Sequence, residues 1–63
     1  MKSFLRVHEV SARTGYAIST IYLKVSKGEF PAPVKLGARA SAWDSDEVSA
    51  WMDERIAERN QAA

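Results

Sequence analysis

His8 is the single histidine of a 63-residue chain that also holds eight carboxylates and no cysteine, which limits the chemistry its side chains can perform. General acid–base or nucleophilic catalysis needs a base set against a second group. His8 falls in the first turn of a predicted surface helix with no such partner. A metal site needs several ligands at converging spacing, and one histidine with scattered carboxylates does not supply it. Gly15, Gly28 and Gly37 are isolated, each accounted for by a turn, so no glycine-rich phosphate loop is present. Neither catalysis nor a metal or cofactor is expected. What remains is charge: Lys24, Lys27, Lys35 and Arg39 lie close together with only Glu29 among them, a set suited to phosphate oxygens.

Those cations belong to a wider asymmetry. Residues 1–43 carry seven cations against two acids, a net +5, while residues 44–63 carry two against six, a net −4. The overall +1 conceals a dipolar molecule whose basic part would attract a polyanion. At this length one small core is the expectation, hence one domain over residues 1–63. The absence of cysteine removes disulfides and thiolate metal sites. No apolar run is long enough for a bilayer, and Arg6 and His8 interrupt the N-terminal MKSFLRVHEV too early for a signal peptide. A soluble, cytoplasmic protein without a membrane partner is expected.

Three elements must position the cations. HEVSART (8–14) predicts a short helix stopped at Gly15, and a second helix runs from about Ala17 to Lys27 with Gly28 as its stop. Two short helices so closely joined form a helix-turn-helix candidate, about residues 7–28. At roughly 100° per residue, Ile18, Ile21, Tyr22 and Val25 share an inward face of the second helix. Ser19, Thr20, Leu23, Lys24 and Lys27 share the outward one, which carries no acid. Beyond the rigid FPAP stretch, Val34–Leu36 and Ala40–Trp43 predict a hairpin turning at Gly37, within a wing of about residues 33–43. A last helix, about 45–59, starts at Asp44 or Ser45, with acids in its first turn and the stripe Val48, Trp51, Met52 and Ile56. The tail from Asn60 to Ala63 is expected to fray. Trp43 and Trp51 are read as core anchors rather than as stacking platforms for bases.

Lys24 and Lys27 on the second helix and Lys35 and Arg39 on the hairpin would face one duplex if that helix entered the major groove and the wing followed the phosphates. The expected fold is therefore mainly α with a small β-hairpin, a winged helix-turn-helix, and the expected activity is sequence-specific binding of double-stranded DNA. The predicted core comprises Val7, Val10, Ile18, Ile21, Val25, Phe30, Leu36, Trp43, Val48, Trp51 and Ile56.

The stretches EVSARTG, STIYLKVSKGEFPAPVKLG, ARASAW and DEVSAWMDERI resemble the AlpA family of small phage and prophage regulators over about Arg6 to Arg59. The resemblance implies a winged helix of the MerR/excisionase kind and a role in activating prophage or genomic-island genes, often integrase, or in promoting excision. It places Ser19, Thr20 and Tyr22 in the recognition helix and makes Arg39 the wing contact. The family usually carries a serine and a basic residue before STIY and an arginine after it, where this chain has Ala17, Ile18 and Leu23. Loss of the serine cap costs about 1 kcal/mol. Readout then rests on hydroxyls, methyl contact from Leu23, and Lys24 or Lys27. Lys24, Lys27, Lys35 and Arg39 are assigned to phosphate, with Arg39 also able to enter the minor groove, while Ser19, Thr20 and Leu23 face base edges. So few charges imply self-association or cooperative binding on DNA, with polymerase or integrase contact as a further partner role. The alternatives are an excisionase that bends DNA at attachment sites and a protein-interaction module that does not bind DNA.

Overall fold

The computed structural model describes residues 3–62, in the order β1 (Phe4–Leu5), α1 (Val7–Thr14), α2 (Ile18–Ser26), β2 (Val34–Gly37), β3 (Ala40–Asp44) and α3 (Ser45–Ala62). Lys2, counted above among the cations, and Ala63 lie outside the described residues. Three helices and a small antiparallel sheet make a winged helix-turn-helix. Each boundary has a local cause. The Glu9 carboxylate accepts the Arg6 amide at 3.2 Å, so the side chain three residues into α1 reaches back to hold its start. Gly15 ends α1 in the left-handed region, at φ 82°, and its amide donates to the Ser11 carbonyl. The turn into α2 is stitched further by Thr14 and Ser11, whose hydroxyls donate to the carbonyls of Val10 and Tyr16. Gly28, at φ 73°, closes α2 as expected.

The hairpin forms, with a difference at its tip: Gly37 is the last residue of β2 and pairs with Ala40, so Ala38 and Arg39 make the turn. An unexpected third strand, β1, pairs with the far side of β3 to give the order β1-β3-β2. Ser45 fastens it. Its hydroxyl accepts the Ser3 amide at 3.0 Å and its amide donates to the Ser3 carbonyl at 2.8 Å. At the start of α3 the Asp44 carboxylate accepts the Asp46 amide at 3.0 Å, so Asp44 does the capping. Far from fraying at Asn60, α3 continues to Ala62.

The core comprises Leu5, Val10, Ile21, Phe30, Trp43 and Val48, with Val7, Tyr16, Val25, Trp51 and Met52 packed around it. Both tryptophans anchor it and both pin the proline segment: the Trp43 indole donates to the Pro31 carbonyl at 2.7 Å and that of Trp51 to the Glu29 carbonyl at 3.1 Å. Three residues expected in the core are not in it: Ile18, which stays half-buried at the start of α2, Leu36 and Ile56. Leu36 is 48% exposed because it falls at the bulge between Lys35, which pairs with Ser41, and Gly37, which pairs with Ala40, so the strand alternation that would turn it inward is broken there. Ile56 is 49% exposed because α3 is longer than the body it packs on. Leu5, which the sequence reading left out, fills the core opposite Trp43.

Candidate nucleic-acid interface

The α2 helix begins at Ile18 behind Ala17, which makes no side-chain cap, so its first amides are held only by geometry and solvent. Its inward side is centred on Ile21, which is fully buried. That centring decides what faces out. Lys24 lies roughly 60° round the helix from Ile21 and Tyr22 roughly 100°, so the lysine is the closer to the core and the tyrosine the farther. Tyr22, placed by periodicity on the inward face, is accordingly 46% exposed, with its ring 5.9 Å from that of Trp43. The outward ridge consists of Ser19, Leu23 and Ser26, flanked by Tyr22 and Lys27, all exposed. Thr20 sits half-buried at its edge.

Lys24 is the residue whose surroundings sequence could not supply. Its ammonium stands 5.1 Å from the Tyr16 ring centroid and 3.7 Å from the Glu29 carboxylate. The stem lies along the protein while the charge is shared with an acid and an aromatic face. Lys27, Lys35 and Arg39, by contrast, are exposed and make no ion pair among the described residues. Lys35 is in β2 and Arg39 at the hairpin tip. Four positions come together on α2, namely Ser19, Tyr22, Leu23 and Lys27, while Thr20 and Lys24 flank them and the other two cations belong to the wing. Ser26 was not singled out by its sequence position. Its hydroxyl donates to the Leu23 carbonyl at 2.6 Å, and only its place between Ser19 and Tyr22 on the helical wheel signals it.

The opposite sign is gathered elsewhere. An open notch of about 410 Å³ between residues 28–31 and α3 is lined by Glu29, Glu47 and Glu54 over Phe30 and Trp51. Farther along α3, Arg55 stacks on Trp51 and pairs with Glu58 at 2.7 Å, so part of the acidic helix is internally neutralised. The notch is thus opposite in sign to the exposed cations Lys27, Lys35 and Arg39. No group of three or more histidine, aspartate or glutamate side chains able to hold a metal occurs among the described residues. Nor is any of their helices long and apolar enough to cross a membrane.

The comparisons with known proteins agree with this architecture. A 58-residue stretch, 92% of the chain, is 52% identical to the uncharacterized protein ORF88 of Enterobacteria phage P4, and spans 66% of that protein's length. No solved structure matches. The family model for the prophage CP4-57 regulatory protein (AlpA) matches residues 3–56, which covers α1, α2, the wing and the greater part of α3, and the chain belongs to this AlpA family of prophage regulatory proteins.

Proposed function

We propose that this protein is a transcriptional regulator that binds double-stranded DNA sequence-specifically and controls genes of a prophage or genomic island, integrase among them. The observation that carries the reading is the combination of an acid-free ridge on α2 with exposed cations at Lys27, Lys35 and Arg39 that make no ion pair among the described residues. With α2 in the major groove, Ser19, Thr20 and Leu23 meet base edges, and Tyr22 reaches base or phosphate from the edge of the ridge. Lys27, Lys35 and Arg39 take phosphates, joined by Lys24 once it leaves Glu29. The fold's family supports a regulator, and the fold itself is one that reads duplexes by this geometry. Neither a catalytic step nor a cofactor enters the account.

The test is footprinting of the purified protein on the DNA upstream of the integrase gene of the element that encodes it. Protection of a defined segment there, with reporter output that changes when the segment is scrambled, supports the reading. Uniform weak protection along every duplex tried contradicts sequence-specific control.

A further inference from the structure

The centre of the α2 ridge is less polar than charge-driven groove binding requires. Leu23 is 53% exposed and has no place in the core cluster. Beside it stands Tyr22, whose ring is braced against the buried Trp43 at 56° between the planes. Two of its polar neighbours are engaged, the Ser26 hydroxyl donating to the Leu23 carbonyl and Lys24 drawn to Glu29, while Ser19 and Lys27 stay exposed one turn before and after it. An exposed aliphatic side chain offers little to the hydrogen-bonding atoms of a base. The major-groove feature it does complement is the 5-methyl group of a pyrimidine, which projects from the base edge as an apolar knob.

Resting on the DNA-binding reading above, we propose that Leu23 binds the 5-methyl group of a pyrimidine and is the specificity-determining contact of α2. Ser19, one turn before it on the same ridge, supplies hydrogen bonding to a neighbouring base. The 5-methyl group occurs on thymine and on 5-methylcytosine, and the contact accepts either. Covering one methyl group is worth about a fourfold change in affinity.

The experiment begins with selection of tight-binding duplexes from a random 20-base-pair pool by the full-length protein. Each thymine of the selected duplex is then replaced singly by deoxyuridine, and cytosine is compared with 5-methylcytosine at the position that responds. The expected result is one position at which loss of the methyl group weakens binding about three- to fivefold. There 5-methylcytosine binds tighter than cytosine, and Leu23→Ala removes the discrimination at an exposed site that tolerates it. A response to thymine alone also upholds the methyl contact and names thymine as its source. Equal binding of thymine and deoxyuridine at every position, or discrimination that survives in Leu23→Ala, overturns the proposal while leaving an enriched site and the DNA-binding reading intact. A pool from which nothing is enriched overturns both.

Discussion

At the level of single residues, Lys24 shows how a local partner alters a charge that sequence alone would assign to DNA. Glu29 lies 3.7 Å from its ammonium and is itself exposed, so the pair is worth only a fraction of a kilocalorie, about 0.2–1 kcal/mol. DNA binding that recruits Lys24 must break it. Glu29→Gln is therefore expected to raise affinity about two- to fivefold at low salt, and in a Lys24→Ala background to change nothing; fluorescence anisotropy on one duplex measures both. A gain of the same size in both backgrounds would show that Glu29 acts by general repulsion. Trp43 is the residue on which the fold depends most, being 1% exposed, hydrogen-bonded to Pro31 and in contact with Tyr22. Trp43→Phe leaves that carbonyl without its donor and opens a cavity, at a cost of about 2–4 kcal/mol. Urea unfolding should show a midpoint shift on that scale, which is a large share of what a domain this small can hold.

Among the elements, the wing and β1 make separable contributions. The Lys35 and Arg39 side chains are exposed and make no hydrogen bond or ion pair among the described residues, so replacing both by alanine should leave the unfolding transition in place. It should weaken binding to all duplexes alike and flatten the salt dependence of log affinity by about two. Binding and denaturation measured on the same preparation check this, and a loss confined to one sequence would place the pair on bases. The other edge of the sheet depends on Ser45, the one buried polar residue among the described residues, which holds Ser3 through two hydrogen bonds. Ser45→Ala should cost about 1–2 kcal/mol and release β1, seen as faster amide exchange at Ser3 and Leu5. These elements also mark what the sequence discloses. The helices and hairpin are local, written in i, i+3, i+4 spacing, glycine stops and the proline turn, and they form in the expected order, with the hairpin turn moved to Ala38 and Arg39 and α3 extended to Ala62. The β1 strand is two residues whose partners, Trp43 and Asp44, lie across the chain, so no window of sequence contains it. Leu36 misleads because the bulge beside it breaks the alternation of its strand, and Ile56 because periodicity says nothing of where the body beneath a helix ends. On α2 the face was legible, but its centring on Ile21 was not. Tyr22 and Lys24 exchange roles for that reason.

Over the whole molecule, the separation of charge sets both orientation and strength. Lys27, Lys35 and Arg39 form no ion pair with the acids of the notch among the described residues, whereas Lys24 is held by Glu29 at its edge, so a duplex is steered to the side of the wing and the α2 ridge. Three or four neutralised phosphates give one copy modest affinity, and tight occupancy then calls for several copies on repeated or inverted half-sites spaced by about one helical turn, roughly 10 base pairs. Footprints should extend in such steps as protein is added; a lone, tightly held site with no second step is inconsistent with this arrangement. The most direct measurement of the central claim, that α2 and the wing together bind duplex DNA, is a salt titration of equilibrium binding for the native protein and for Lys27→Ala/Lys35→Ala/Arg39→Ala. The native protein is predicted to show a slope of log affinity against log salt of about −3 to −4, and the triple variant, which keeps Lys24, one no steeper than about −1 with affinity at least tenfold weaker at low salt. Equal slopes and equal affinities for a folded triple variant would contradict it.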